Sequence, residues 1–278
     1  MTFKVDDVGP QPTAGYIQTA IDAANDGDTI NVAAGTYAEQ LTIEKALTLL
    51  GPNAGISAGV NPGTRVSEAI VTFPVSPVPD SESEEIAVIN ANVDNITIDG
   101  FTIEGNCVTD GVGINGDDDA MMVKNNIVKN FPRIGIINSS YELVDGNWNY
   151  NFYNAGIVIE NNLVMSDADD CYTDYSGIYM QGATGLVGGN VVGDARRGIQ
   201  VQPYNNPSTV QGVVQNNHFK GFRSPIYFNY SENENVNWLI KDNIAEGIPV
   251  PAGSDVTTWS GINTQTFYAG NVSFVKNQ

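Results

Sequence analysis

The sequence predicts an all-β right-handed parallel β-helix, a solenoid, with a short N-terminal capping helix. Three observations carry that expectation. A small residue followed by isoleucine recurs at Gly113-Ile114, Gly135-Ile136, Gly156-Ile157, Gly177-Ile178, Gly198-Ile199, Pro225-Ile226 and Gly261-Ile262, at first with a period of roughly 21 residues. A second column, mostly asparagine, runs through Asn126, Asn147, Asp169, Asn190, Asn217 and Asn243. Apolar residues precede it at Val123, Val144, Val187, Val214 and Ile240.

Each feature has a physical reading. Two short strands per period, stacked coil on coil, place equivalent residues about 4.8 Å apart. The isoleucines then form one inward stack, including Ile136, Ile157, Ile178 and Ile199. The asparagines form an internal ladder at a turn, where amides satisfy backbone groups that a bend leaves unpaired. Upstream, residues 16–24 (YIQTAIDAA) put Ile17, Ala20, Ile21 and Ala24 on one helical face, as a terminal cap of a repeat stack needs. Strands follow at Thr29–Val32, Leu41–Ile43, Ala46–Leu50, Ile70–Phe73, Ile86–Ile89 and Ile96–Ile103. Residues 51–85, rich in Gly, Pro and Ser and ending in an acidic run, read as a long loop excursion. The whole chain, 1–278, reads as one domain.

Composition narrows the function. Acidic residues number 32 against 12 basic, giving a net charge of −20, which argues against nucleic acid as a partner. No apolar run is long enough to span a membrane. The start, MTFKVDDVGPQP, lacks the apolar segment of a signal peptide. Cys107 and Cys171 precede origins counted three coils apart, roughly 14 Å, so no disulfide is expected.

Residues 17–51 (IQTAIDAANDGDTINVAAGTYAEQLTIEKALTLLG), with 95–106 (NITIDGFTIEGN), resemble the opening coils of the pectate-lyase-like β-helix superfamily. The coil columns extend the likeness over nearly the whole chain. The resemblance implies the fold, a polysaccharide partner and an exported, secreted or cell-surface protein whose leader was removed. It implies no single reaction, because the superfamily spans lyases, hydrolases, epimerases, tailspikes and non-catalytic modules. The polygalacturonate-cutting branch carries Asn-Thr-Asp, Asp-Asp, Gly-His-Gly and Arg-Ile-Lys motifs. Here 116–119 (GDDD) echoes only the second, and the sole histidine, His218, sits in 216–219 (NNHF).

Strand alternation places an outward ribbon beside the isoleucine stack. Two positions on from each origin lie Asn115, Ile137, Val158, Tyr179, Gln200, Tyr227 and Asn263. Four positions on lie Asp117, Ser139, Glu160, Gln181, Gln202, Asn229 and Gln265. Two before lie Gly111, Arg133, Asn154, Tyr175, Arg196, Arg223 and Trp259. Three of the five arginines fall in these columns of an otherwise acidic chain, beside several aromatics. Aromatic faces pack on sugar rings, while amides and arginines bind hydroxyls and sugar acids.

Asp117, Glu160, Tyr179 and Arg196 are the catalytic candidates. Arg133, Tyr175, Gln181, Gln200, Gln202, Arg223, Tyr227 and Trp259 are the substrate-binding candidates. Asp117 and Glu160, counted two coils apart, would stand about 9.5 Å from each other, the upper limit for an inverting hydrolase. A lyase instead needs a cation to neutralise a uronate carboxylate and a base, roles for Arg196 and Tyr179. Asp117, Asp118 and Asp119, or Asp167 and Asp170, supply oxygens of the kind that Ca²⁺ takes. The reading is a polysaccharide lyase or hydrolase, and its competitor a non-catalytic adhesion or carbohydrate-binding module. The uncapped end at Asn277-Gln278 points to self-association there.

Overall fold

The structure is a computed structural model describing residues 1–5, 16–77, 86–108, 110–140, 142–144, 147–149, 153–166, 173–203, 211–229, 237–246, 262–265 and 271–275. Its strands wind into a parallel β-helix with three faces. The first face stacks Thr2–Val5, Thr29–Val32, Thr48–Leu50, Thr97–Asp99, Met122–Lys124, Asn154–Glu160, Ala183–Gly188, Gly212–Gln215, Asn237–Lys241 and Asn271–Val275. The second runs from Gly35–Ala38 through Ala69–Thr72, Thr102–Glu104, Ile127–Lys129 and Leu163–Met165. The third runs from Leu41–Ile43 through Ile86–Ala91, Gly111–Gly116, Ile134–Ser139 and Thr173–Gln181. The long strands Val191–Gln202 and His218–Asn229 bend around the corner and serve both.

The asparagine ladder sits between the first and second faces. It consists of Asn126, Asn162, Asn190, Asn217 and Asn243, all 3% exposed or less. From Asn162 onward each Oδ1 accepts the backbone N–H of the previous member, as Asn217 does from Asn190 at 3.0 Å, while Asn126 accepts that of Phe101 at 2.9 Å. Each Nδ2 reaches a carbonyl one coil back, as Asn190 does to Ile159 at 2.9 Å. The residue before each rung is left-handed: Asn125, Asn161, Gly189, Asn216 and Asp242 all have positive φ. Asn, Asp and Gly tolerate that conformation best.

The isoleucine stack is present, with one correction. Ile114, Ile136, Ile178, Ile199 and Ile226 are in register on the third face and at most 2% exposed. Ile157 is equally buried but belongs to the first face, opposite Gly185. An antiparallel hairpin, Glu142–Val144 with Asn147–Asn149, is inserted between Gly135 and Gly177. Those 42 residues (177 − 135) are therefore one coil plus an insertion, not two coils. The insertion's length mimics a period, and Gly156-Ile157 mimics an origin. Asn147 consequently lies in the hairpin, Asn162 takes its rung, and Asp169 lies outside the described residues.

Small residues at the origins are sterically required. A Cβ on Gly198 would stand 2.5 Å from the Pro225 carbonyl and 2.5 Å from Phe219 Cδ1. At Gly198 the next coil comes too close for a side chain, whereas the origin one coil on takes the Pro225 ring.

The helix Tyr16–Ala23 buries Ile17 and Ile21 against Thr2–Val5, Thr29–Val32 and Leu41–Ile43. Both ends are satisfied from afar. The buried Glu39 carboxylate accepts the N–H groups of Tyr16, Ile17 and Gln18 at 2.9–3.2 Å. Lys45 Nζ donates to the carbonyls of Ile21, Asp22 and Ala24. Acid at the N-terminus and base at the C-terminus complement the helix dipole.

The strand expectations hold except in detail. Ile96–Ile103 is broken at Gly100 into Thr97–Asp99 and Thr102–Glu104, and Gly35–Ala38 is an additional strand. The excursion includes the strand Ala69–Thr72; its acidic end lies outside the described residues. The expectation of free thiols is overturned, because Cys107 is disulfide-bonded and Cys171 is the only other cysteine in the chain. The coil count behind that expectation was one too high. Asn106 and Cys107 also sit in a left-handed turn, off the strand ladder, so strand register does not set the height of that sulfur.

Candidate functional site: the outer surface of the third face

With the false coil removed, the outward row two positions past the origins is Asn90, Asn115, Ile137, Tyr179, Gln200, Tyr227 and Asn263. Expected as an exposed ribbon, the row is buried at its centre. Tyr179 is 3% exposed, Gln200 1% and Tyr227 7%. Ala87, Val112, Ile134, Ile137 and Tyr179 form a second apolar cluster outside the sheet.

The polar members are tied to one another across three successive coils. Gln200 Oε1 accepts from Ser176 Oγ at 2.9 Å and from Arg197 Nη1 at 2.9 Å. The Arg197 guanidinium lies over the Tyr227 ring, 4.3 Å from its centroid, a cation–π contact. The Tyr179 hydroxyl donates to Gln202 Oε1. Tyr179 and Tyr227 therefore do not offer open faces to a sugar ring. Arg197, adjacent in sequence to the favoured Arg196, is the arginine that organises this network. Alternation counted back from Gln200 selects Arg196 for this side, so the sequence held no signal for Arg197; the register shift in this pairing lies between Thr173 and Ser176.

The next row outward is accessible. Gln181 and Gln202 are register partners, and both are half-buried, as is Asn229 one coil further. Asp117 is half-buried at the same distance from its origin, while Ser139 is buried. On the other edge, Arg196 is exposed and Arg133 half-buried. Arg196 falls opposite Arg223, between the pairs Ala195–Phe222 and Arg197–Ser224. Arg133 precedes Arg196 by two coils rather than the three expected, since Ser176 N–H bonds the Arg133 carbonyl and Ser176 pairs with Arg197. Tyr175 and Arg223 lie in described strands, but their side chains are outside the described set, as are Trp259, Asp167 and Asp170 entirely.

Glu160 does not join this surface. It is on the first face, paired with Lys124 and Gly188, so Asp117 and Glu160 are not the column pair the repeat implied. The Asp117–Asp119 loop is engaged in the fold: Asp119 Oδ1 accepts Ala155 N–H at 2.7 Å, and the Asp118 carbonyl accepts from Asn138 Nδ2 at 3.1 Å. Among the described residues, no three acidic, imidazole or thiol groups converge to hold a metal. No described helix is long and apolar enough to cross a membrane.

No family model and no characterised protein sequence matches the chain. Three solved structures resemble it. A polygalacturonase from Erwinia carotovora ssp. carotovora has 12% identity and a TM-score of 0.59, with 99% of this chain and 93% of that one covered. An alginate lyase from Paenibacillus sp. str. FPU-7 has 14% identity and a TM-score of 0.49, covering 99% and 95%. A pectin methylesterase from Aspergillus niger has 14% identity and a TM-score of 0.49, covering 100% and 85%. At such identities the likeness concerns the fold alone: the chain has a right-handed parallel β-helix like that of the polygalacturonase.

Proposed function

We propose that this chain is a secreted, one-domain polysaccharide-active protein that takes an acidic chain along the outside of its third face, parallel to the coil axis. The single observation that carries the reading is the half-buried amide row Gln181–Gln202–Asn229, flanked by exposed Arg196 and half-buried Arg133. Amides that repeat at about 4.8 Å suit a polymer of repeating hydroxyls. An arginine edge suits uronate or sulfate groups, because guanidinium meets planar anions in bidentate fashion. The buried network of Ser176, Arg197, Gln200 and Tyr227 holds that surface in shape. In the same reading the helix Tyr16–Ala23 serves as the end cap of the stack.

A lyase is the catalytic form this surface accommodates best. Arg196 would neutralise the substrate carboxylate, and Tyr179 would act as base as its phenolate, its own proton first released to solvent and its oxygen turned from Gln202 to the substrate. The separation of Glu160 from Asp117 favours binding without hydrolysis as the second reading.

The test uses polygalacturonate, alginate and a neutral glucan, reading binding, reducing ends and unsaturated-uronate absorbance together. The acidic polymers should bind and the neutral one should not. Arg196→Ala should weaken binding about fivefold, roughly 1 kcal/mol, with an unchanged melting temperature. Moderate salt should strengthen binding first, by screening the net −20. Full binding by Arg196→Ala and Gln202→Ala would overturn the assignment.

A further inference from the structure

On the opposite side of the molecule, the turn ridge that carries the asparagine ladder is notched. The outward row of the first face there reads Lys124, Glu160, Gly188, Gln215, Lys241, and the left-handed row beside it reads Asn125, Asn161, Gly189, Asn216, Asp242. One coil thus presents Gly188-Gly189 where its neighbours present long polar side chains. The result is a cavity of about 320 Å³, at the lower end of the range for small-molecule sites.

The excursion after Gly51 builds its wall. Ala58 N–H bonds the Asn161 carbonyl at 3.0 Å, and Val60 N–H bonds the Gly189 carbonyl at 2.9 Å. Gly59 allows that approach, since a Cβ there would stand 2.0 Å from the Gly189 carbonyl oxygen. Arg65 pins the same segment by donating to the Asn125 carbonyl at 2.7 Å and pairing with Glu68 at 2.8 Å. The wall is held by backbone bonds and an ion pair, so the notch is a built feature.

Its chemistry is the reverse of the third face. The lining includes the carboxylates Glu160 and Asp242, several amides and no lysine or arginine. Val60 and Ile244 add apolar surface, Ile244 being 45% exposed. His218 Nε2 is buried in the lining; Glu246 Oε1 lies 2.9 Å away without making a hydrogen bond to it.

We infer that this notch binds a single sugar unit that is uncharged or carries an amine. Hydroxyls and an ammonium find acceptors in Glu160, Asp242 and the amides, and the ring's C–H face meets Val60 and Ile244. A uronate would place its carboxylate among like charges. The inference does not rest on the reading of the third face.

The test is a matched titration of the full chain with galactose, galactosamine and galacturonate, followed by amide NMR shifts. Galactose and galactosamine should shift Gly188 and Gly189 saturably, with galacturonate at least about tenfold weaker. Gly188→Leu fills the notch: its Cβ would meet neighbours no closer than 3.4 Å, an ordinary contact, so the melting temperature should hold while binding is lost. Glu160→Gln should weaken galactosamine about fivefold and galactose less. The inference fails if neither uncharged nor amine sugar shifts these amides, if galacturonate binds as tightly, or if both variants bind like the parent chain.

Discussion

The ladder ridge and the outer surface of the third face are built by the same device, a coil repeated in register, yet they treat polar side chains in opposite ways. At the ridge, the buried asparagines serve the backbone: every rung bonds main-chain groups. On the third face, the buried Gln200 serves other side chains, Ser176 and Arg197. The backbone at a bend has unpaired groups in each coil, and the ridge solution repeats through five successive coils, from Asn126 to Asn243. The strands of the third face already pair their backbones, so its side chains are free to differ from coil to coil. Recurrence along the ridge marks structure here, whereas the two proposed binding surfaces are local, an amide row on three successive coils and the Gly188-Gly189 notch on one.

That comparison breaks most decisively at Asn190. Truncation to Ala removes the acceptor of Asn162 N–H and the donor to the Ile159 carbonyl, both buried. Each orphaned group costs about 1–3 kcal/mol, so Asn190→Ala should lose about 3–5 kcal/mol by denaturant midpoint. Asn216, one residue before the next rung and exposed, is the control. Asn216→Gly keeps the left-handed turn and should stay within about 0.5 kcal/mol. Equal losses at both positions would deny the ladder its special role.

Much of the fold was legible because its signals repeat. Ile114, Ile136, Ile178 and Ile199 are spaced by coil geometry, and a period can be read without knowing any contact. The error at Gly156 shows the limit: a coil lengthened by about one period, in part through an inserted hairpin, reads as two, and Glu160 was carried with the false coil onto the wrong face. Exposure was the other limit. Alternation correctly sent Tyr179 and Tyr227 outward, but outward from a sheet is not outward to solvent once a second layer covers it. The notch was invisible for a different reason: it is made of what Gly188 and Gly189 lack, and of a loop wall distant in sequence.

Adjacent arginines sharpen the contrast within the third face. Arg197 bonds buried Gln200 and covers Tyr227, whereas Arg196 is exposed. Arg197→Ala should therefore cost about 1–2 kcal/mol of stability through the lost cation–π contact and hydrogen bond. Arg196→Ala should change stability by less than about 0.5 kcal/mol. Thermal melts of the two variants, side by side, test this. If Arg196→Ala is the more damaging, the network has been assigned to the wrong residue.

The smallest expected effect lies at the corner between the second and third faces, where the long strand Val191–Gln202 bends. Asp194 stands there with φ of 51°, half-buried, between buried Gly193 and buried Ala195. Burial holds its carboxyl above the ordinary aspartate range. A folded-state value above the unfolded one means that the folded state binds the proton more tightly. The contribution to stability is then present at low pH and is lost as pH rises through the folded value, so at neutral pH the ionised group opposes folding. Asn keeps the shape and tolerates the left-handed backbone, and it removes the charge. Asp194→Asn should stabilise the protein at neutral pH, by well under about 1 kcal/mol because the group is partly solvated. The gain should fade toward the acid range where the aspartate is itself neutral. Urea melts of both proteins at neutral and mildly acidic pH measure the difference. A gain that is unchanged between the two pH values would mean that something other than the buried charge, such as the turn preference of Asn, is responsible.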